Sequence, residues 1–68
     1  MRPKIYVGGT FDLIHAGHIF LLKLISELGD VIVGLNTDEF TERYKGTRPV
    51  QDLTDRLAIM RAIKYVQR

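Results

Sequence analysis

The sequence predicts a small α/β protein built on two parallel strands that a helix connects. Two short apolar runs, residues 5–7 and 31–35, are bounded by glycine or polar residues, as buried strands are. Between them, residues 18–28 are apolar over a length that fits a helix rather than a strand. Strand, helix and strand in this order form a βαβ unit, whose right-handed crossover makes the strands parallel. The 68 residues are enough for one domain, residues 1–68.

The composition excludes several classes of protein. The sequence has no cysteine, which rules out disulfides and thiolate metal sites. Its net charge of +2 suits small anionic ligands, whereas no helix-turn-helix or zinc pattern indicates nucleic-acid binding. No apolar run approaches the roughly 20 residues that span a bilayer, and no signal-peptide pattern follows the N-terminus. We therefore expect a cytoplasmic protein that binds neither nucleic acid nor membrane.

The first strand is predicted at residues 4–8 and the first helix at about residues 17–28. Gly29 is expected to end that helix in a left-handed conformation. The helix has only a thin polar stripe. A helix that is apolar over most of its circumference needs cover on more than one side, so we expect a partner chain or further sequence to supply it.

The second strand, residues 31–35, is a continuous apolar run of the kind found where both faces of a sheet are covered. Asn36 is expected to cap a short helix, with Glu39 at its third position in a capping-box pattern. This helix should end near Tyr44, because glycine and proline preclude regular structure in the basic loop, residues 45–50.

The last helix is predicted at about residues 53–66, with Asp52 as its cap. Arg56 falls in the apolar arc of its first turn, where an arginine opposes the helix dipole. This unfavourable placement indicates a functional position at the ligand edge of the sheet. The alternative is a side chain that lies along apolar surface with its charge in water. No third strand is apparent after this helix.

The glycine-rich turn, residues 8–18, has the layout of a phosphate site. It runs from the first strand into a helix N-terminus, an arrangement that presents backbone N–H groups and a positive dipole end to an anion. Gly8 and Gly9 let a ligand approach the backbone. His15 and His18 place two imidazoles three residues apart at this site, and the layout as a whole indicates phosphoryl chemistry.

Two other interpretations of the histidine pair remain open. Together with Asp12 the pair could ligate a metal ion, but the turn has no second cluster of ligands and no cysteine. Asp12 could instead orient a histidine or the substrate, or bond its own backbone as a turn residue. Single histidines are most often structural, whereas a pair inside a glycine-rich turn favours catalysis.

The residues Gly-Thr-Phe-Asp-x-x-His-x-Gly-His, at positions 9–18, resemble the signature of the cytidylyltransferase-like nucleotidyltransferases. Residues 37–40, the basic loop and the pair Asp55-Arg56 resemble that family as well. The likeness covers nearly all of this chain but only the N-terminal half of the family's fold, and the family's later Arg-Thr-x-Gly-Ile-Ser-type signature is not in the sequence. It implies a Rossmann-like (HUP-type) nucleotidyltransferase fold, a parallel sheet with helices on both faces, truncated to its first half.

The resemblance implies transfer of a nucleotidyl group, CMP from CTP, to a phosphorylated alcohol with release of pyrophosphate. ATP stays open as the donor, and the acceptor could be glycerol phosphate, ethanolamine phosphate, choline phosphate or a sugar phosphate. Mg²⁺ would arrive bound to the triphosphate, and no protein metal site is expected. Because members of the family are commonly dimers, a homodimer is expected. The alternative is a truncated, non-catalytic fragment that binds nucleotide or assembles with a partner.

The resemblance also assigns roles to individual residues of this chain. The expected catalytic residues are His15, His18 and Lys45. Thr10 and Phe11 are expected to act through backbone N–H groups, and the cations of the basic loop to clamp phosphates. The expected nucleotide- or phosphate-binding residues, taken together, are Gly8, Gly9, Thr10, Phe11, Asp12, Gly17, Arg48 and Arg56.

Overall fold

The computed structural model describes residues 2–67. None of the helices in that range is long and apolar enough to cross a membrane. The chain forms a βαβ unit followed by two further helices, in the order β1 Lys4–Gly9, α1 Ala16–Ser26, β2 Asp30–Leu35, α2 Asp38–Lys45 and α3 Leu53–Arg61.

β1 and β2 pair in parallel, and α1 is the crossover between them. Lys4 pairs with Asp30 at one end of the ladder and Gly9 with Leu35 at the other. The ladder continues one step further, because the Asn36 N–H donates to the Gly9 carbonyl oxygen at 2.9 Å. This register places the carboxyl ends of both strands side by side. The predicted α/β class and the predicted βαβ unit are therefore confirmed.

One face of the sheet carries the core. Leu22 of α1, Val31 of β2 and Met60 of α3 are buried together, and Val33 packs against them. Both helices therefore pack on the face of the sheet from which Val31 projects. Tyr6 alternates with the inward-facing residues of β1 and is 74% exposed, so its ring lies on the opposite face.

α1 begins one residue before its predicted start and ends two residues before its predicted end. Its cap residue, Glu27, has a right-handed φ of −72°. Gly29 therefore does not end the helix in a left-handed conformation, and that prediction was wrong. The glycine is required for a close approach of two chain segments, since a Cβ atom at this position would collide with the carbonyl oxygen of Pro3.

α2 is capped by Thr37, whose hydroxyl accepts a hydrogen bond from the Phe40 N–H at 3.1 Å. The predicted cap, Asn36, lies one residue too early. Asparagine and threonine are both good caps, and the choice depends on a tertiary contact: the Asn36 carbonyl oxygen accepts a hydrogen bond from Arg56 at 2.8 Å. After the helix, Gly46 takes a left-handed φ of 84° and turns the chain into the basic loop.

α3 begins as predicted, with Asp52 as its N-cap, but it ends at Arg61 rather than near residue 66. Val66 pairs in parallel with Val31, and the Gln67 N–H donates to the Val31 carbonyl oxygen at 2.7 Å. The Gln67 N–H is therefore bonded to β2 and not to a carbonyl oxygen of a helical turn. The helix prediction was therefore wrong beyond Arg61, because the pattern of apolar residues did not distinguish a last helical turn from a segment that pairs with β2.

Candidate active site

The carboxyl ends of β1 and β2 meet at the edge of the sheet where open α/β sheets bind ligands. The Thr10 hydroxyl lies 3.3 Å from the Thr41 hydroxyl and 3.1 Å from the Tyr44 hydroxyl, and it accepts a hydrogen bond from the Asn36 amide at 3.2 Å. The contact with Thr10 lowers the pKa of the Tyr44 phenol, although burial opposes this change. These four polar side chains join β1, β2 and α2 at the edge.

The glycine-rich turn leaves β1 in an unusual backbone conformation. Phe11 and Leu13 both have a φ of 52°, a region that non-glycine residues adopt rarely. Each such residue costs on the order of 1–3 kcal/mol and persists only where the surrounding structure holds it. The N–H groups of Thr10 and Phe11 take part in none of the hydrogen bonds described for residues 2–67.

The glycines of this turn serve different purposes. A Cβ atom at Gly8 would meet nothing within 4 Å, so its backbone faces open space. At Gly9 a Cβ atom would lie 2.9 Å from Cε2 of Phe11, whose ring covers this glycine. At Gly17 it would lie 2.7 Å from Cε1 of His15. Gly17 is therefore needed so that the His15 ring can lie over the first turn of α1.

His15 and His18 cap α1 reciprocally. His15 is the N-cap, and its Nδ1 accepts a hydrogen bond from the Gly17 N–H at 3.0 Å. Nδ1 of His18 accepts in turn from the His15 N–H at 3.1 Å. The two ring centroids lie 4.2 Å apart with an interplanar angle of 48°. The structure thus brings the predicted pair together and fixes both rings.

These caps determine which ring nitrogen of each histidine can donate. Because Nδ1 accepts a backbone N–H in both residues, the proton of the neutral imidazole must reside on Nε2. Two Nε2–H donors are therefore available at the N-terminus of α1, where the helix dipole also favours an anion. This arrangement suits the stabilisation of charge that develops on phosphoryl oxygens.

Asp12 binds the chain at the end of the basic loop. Its carboxylate accepts hydrogen bonds from the Val50 N–H at 2.7 Å and from the Gln51 N–H at 2.9 Å. Burial raises the pKa of this carboxyl, but these N–H groups and the charge of Arg56 outweigh burial, so the pKa lies below its ordinary value. The described hydrogen bonds of Asp12 go to the loop and to neither histidine, so the carboxylate does not bond only its own turn.

No group of three His, Cys, Asp or Glu side chains that could hold a metal ion occurs among residues 2–67. Asp12, the third member of the metal site considered from the sequence, uses both oxygens for backbone N–H groups.

Arg56 lies beneath the site and not at its surface. Its side chain is fully buried, and Nη1 donates to the carbonyl oxygens of Thr10 at 2.9 Å and Asn36 at 2.8 Å. Nε donates to the Gln51 carbonyl oxygen at 3.0 Å, and Nη2 to the Asp38 carboxylate at 2.6 Å. Direct contact with nucleotide phosphate, which was predicted from the sequence, does not fit a guanidinium enclosed in this way. Arg56 joins the ends of both strands instead.

The two cations of the basic loop differ in their surroundings. Lys45 is exposed at the end of α2, with Nζ 5.7 Å from the centre of the Tyr44 ring, and no salt bridge within residues 2–67 involves it. Nη1 of Arg48 lies 3.1 Å from Oε2 of Glu42, and Nη2 of Arg48 lies 3.6 Å from Oδ2 of Asp38. The hydrogen bond to Glu42 raises the pKa of Arg48, as do the charges of the acids around it. Lys45 is therefore the cation of the two that forms no ion pair with the protein in the described residues.

Three residues that shape this edge were not assigned to it from the sequence. Asp38 accepts a hydrogen bond from Arg56. Gln51 accepts one from the glycine-rich turn, and the Tyr44 hydroxyl bonds to the Thr10 hydroxyl. A signal existed for Asp38, because a buried arginine in a predicted apolar arc requires a carboxylate partner. For Gln51 and Tyr44 we find no comparable signal, since their partners are 38 and 34 positions distant in sequence.

Comparisons with known proteins find relatives that are similar to most of this chain. FAD synthase from Pyrococcus abyssi is 46% identical over 66 residues, which are 96% of this chain and 45% of the relative. The bifunctional protein HldE from Streptomyces coelicolor is 48% identical over 61 residues, 87% of this chain and 13% of the relative. This chain therefore spans less than half the length of these relatives.

The fold is shared with a solved structure described as the lipopolysaccharide core biosynthesis protein from Thermoplasma volcanium. The TM-score is 0.86 at 35% identity, over 96% of this chain and 53% of that one. The sequence model of the family described as Cytidylyltransferase-like matches residues 6–68, which include most of β1, all of β2 and the whole glycine-rich turn. The chain belongs to the cytidylyltransferase-like family of nucleotidyltransferases.

Proposed function

We propose that this chain forms the nucleotidyl-transferring site of an enzyme that joins a nucleotide to a phosphorylated small molecule. The observation that carries the proposal is the histidine pair. Reciprocal capping through Nδ1 orients two neighbouring imidazoles and leaves Nε2–H of each as a donor, inside the turn that the family shares. A site for phosphoryl transfer needs oriented donors of this kind and little covalent chemistry.

In the proposed reaction an oxygen of the acceptor's phosphate attacks the α-phosphorus of the nucleoside triphosphate. The new P–O bond forms as the bond between the α-phosphorus and its bridging oxygen breaks, and pyrophosphate leaves with that oxygen and its electron pair. Charge spreads over the phosphoryl oxygens during this exchange. His15 and His18 donate Nε2–H hydrogen bonds to them, and their fixed orientation avoids reorganisation during the reaction.

Other residues contribute to binding in this proposal. Gly8 and the backbone N–H groups of Thr10 and Phe11 face the triphosphate, while Gly9 and Gly17 act indirectly by making room for the rings of Phe11 and His15. Lys45 places an exposed ammonium beside it. Arg48 can add charge if it leaves its acidic neighbours, so its contribution is smaller. Asp12 and Arg56 support the site from behind rather than touching the nucleotide.

We propose ATP as the first donor to test, with CTP as its competitor. The description of the family favours CTP, as the resemblance did in the sequence. However, a relative with 46% identity is an FAD synthase, and FAD contains an adenylyl group joined through a phosphoanhydride to a flavin phosphate. The acceptor class is in either case a phosphate monoester of a small alcohol, because that group supplies the attacking oxygen.

Pyrophosphate release tests the proposal. The protein is incubated with Mg·ATP or Mg·CTP and a panel of phosphorylated alcohols that includes flavin mononucleotide and sugar phosphates. Release that requires both a triphosphate and an acceptor supports nucleotidyl transfer, and the better donor identifies the base. Nucleotide binding without release would favour the alternative, a non-catalytic part of a longer protein. The argument for this alternative is that the chain spans only 45% of the FAD synthase relative. If the protein neither binds a nucleotide nor releases pyrophosphate, the proposed function is refuted.

A further inference from the structure

The two strained residues of the glycine-rich turn flank Asp12 on either side. Phe11 and Leu13 share a φ of 52°. Leucine and phenylalanine gain nothing locally from this conformation, since neither has a short polar side chain to bond the backbone. The Leu13 side chain is 53% exposed, so its packing does not fix the turn either. Contacts from outside the turn must therefore hold it.

The packing of Phe11 against the core and the hydrogen bond from Arg56 to the Thr10 carbonyl oxygen supply part of this hold. Three further hydrogen bonds join the turn to residues 50 and 51. The Asp12 carboxylate accepts from the Val50 and Gln51 N–H groups at 2.7 and 2.9 Å. In the reverse direction, the Leu13 N–H donates to the Gln51 side-chain oxygen at 3.0 Å. We refer to these three bonds as the turn–loop contact. Gln51 is itself anchored, because its carbonyl oxygen accepts a hydrogen bond from buried Arg56 at 3.0 Å.

The turn–loop contact lies between the two groups that the proposed function uses. On one side the turn leads directly into His15, the N-cap of α1. On the other side the basic loop, which begins at Lys45 and contains Arg48, ends at Val50. A change in the turn would move the imidazoles and the backbone N–H groups relative to the cations. Displacements of about 1 Å at such sites reduce catalysis substantially.

We propose that Asp12 and Gln51 are positioning residues: they hold the strained turn in the conformation that presents it to the triphosphate. Asp12 acts through the backbone of Val50 and Gln51 and does not touch the nucleotide. The inference rests on the proposed function, because the triphosphate is the ligand that the turn would receive. The contact itself can be tested without any turnover.

The substitution Asp12→Asn tests the contact directly. The amide keeps one acceptor oxygen but places an NH₂ group against a backbone N–H, so one of the two bonds to the loop must break. We expect amide hydrogen exchange at Val50 and Gln51 to accelerate about tenfold or more, while the β2 amides of Val31 and Val33 stay protected. Asp55→Asn removes the same charge from an exposed position in α3 and should leave these rates unchanged.

Nucleotide affinity tests the positioning role. By calorimetry with ATP and with inorganic tripolyphosphate, Asp12→Asn should bind both about tenfold more weakly. Leu13→Asn, introduced into the Asp12→Asn protein, should recover part of this loss because asparagine tolerates a positive φ far better than leucine. A role in folding alone would not give recovery of affinity by a substitution at an exposed side chain.

Each possible result bears on one of the two proposals. Unchanged exchange at Val50 and Gln51 in Asp12→Asn would refute the turn–loop contact whether or not the protein is an enzyme. Faster exchange with unchanged affinity, or an affinity loss that Leu13→Asn does not relieve, would refute the positioning role. If the unaltered protein binds neither ATP nor tripolyphosphate, the proposed function fails and the positioning role fails with it, while the exchange data decide separately whether the contact exists.

Discussion

At the scale of single residues, each histidine of the pair has two tasks that use different ring nitrogens. Nδ1 of His15 and of His18 accepts a backbone N–H and caps α1. Nε2 is left for the substrate in our proposal. Substitution by alanine therefore removes a cap and a donor at once, and its effect on activity would mix both losses.

The substitution His18→Asn separates the two tasks. The Asn side-chain oxygen can take the place of Nδ1 and accept the His15 N–H, but no atom replaces Nε2. We expect turnover to fall on the order of a hundredfold or more, with thermal stability close to that of the unaltered protein. His18→Ala should show the same loss of turnover and an additional loss of about 1 kcal/mol in the free energy of unfolding. Near-full turnover in a folded His18→Asn protein would contradict the catalytic role.

The roles of some residues could be predicted because their partners are close in sequence, whereas the roles of others depend on partners far away in sequence. The histidine spacing and the Asp52 cap depend on neighbours within a few positions, so the sequence was sufficient to predict that the pair lies at the start of a helix. The bonds of Asp12 and Arg56 cross 38 and 46 positions. Both residues were assigned to nucleotide binding because their family positions indicate function, but only the fold shows which partners they meet.

At the scale of elements, α2 determines where the cation of the site lies. Lys45 is the last residue of the helix, where the negative end of the dipole favours a positive side chain. The left-handed residue Gly46 then redirects the chain, and Arg48 folds back against Glu42 of the same helix. The helix thus pairs one of its two nearby cations and leaves Lys45 exposed.

Lys45→Ala should weaken nucleotide binding about tenfold, the usual order for losing a charge-assisted hydrogen bond to phosphate. The residual affinity should also depend less on ionic strength, because one screened attraction is gone. Calorimetric titration with ATP at two salt concentrations measures both effects. Arg43→Ala, which removes the same charge from an exposed position of the same helix, is the matched control. Equal affinities for the Lys45→Ala and unaltered proteins would make Lys45 an ordinary solvated lysine.

Elements defined by apolar runs were predicted well, and element ends were not. The strands were placed within a residue of their observed limits because a buried parallel strand has a continuous apolar signature. The end of α3 was missed because Val66 fits an apolar helix face and a strand equally well, and its pairing with Val31 decides between them. Asn36 was mistaken for a cap because the competing partner, Arg56, lies in another element.

At the scale of the whole molecule, one buried side chain, Arg56, connects the ends of both strands with α2 and the start of α3. Its donors bind the carboxyl ends of both strands, the residue before the Asp52 cap, and Asp38 at the start of α2. Burial of a guanidinium costs free energy because the charge loses its hydration. Removal of the guanidinium also destabilises the fold, because its buried partners are left unpaired.

Arg56→Met should lower the free energy of unfolding by about 3 kcal/mol, because the carbonyl oxygens and the Asp38 carboxylate lose their shared donor. Arg61→Met, at an exposed position of the same helix, should change it little. Chemical denaturation of both variants makes the comparison, and the thermal midpoint serves if Arg56→Met is too unstable at room temperature. Equal stability of the two variants would show that the buried network contributes nothing.

The same variant should alter the dependence of stability on pH. The hydrogen bond from Arg56, opposed by burial, lowers the pKa of Asp38 below its ordinary value of 3.8. A lowered folded-state pKa stabilises the protein above the ordinary value, and this stabilisation is lost as the pH falls through the folded-state pKa. Denaturation between pH 7 and pH 3 should therefore show a smaller acid-induced loss in Arg56→Met. An identical pH profile would contradict the assignment to this pair.

The apolar surface of α1 predicts self-association, which we propose as a homodimer. Phe20 and Leu24 are 61% and 45% exposed, and Leu28 just beyond the helix is 71% exposed. An isologous contact would bury this surface twice. Sedimentation equilibrium at micromolar concentration should show a dimer that Leu24→Lys dissociates. Leu57→Lys on α3, where the side chain is 38% exposed, should leave it intact. A well-folded monomer of the unaltered protein would refute the prediction.

The contact between Arg56 and Thr10 has a consequence for how the protein is made. The two residues are 46 positions apart, so the turn leaves the ribosome long before the arginine that supports it. At roughly 5–20 residues per second the delay is about 2–9 s, much longer than the closure of a short loop. During this interval the nascent chain carries both histidines without the support beneath them. We therefore expect the site to mature only after Arg56 has been synthesised and has bonded to Thr10, and ligand to bind only after that step.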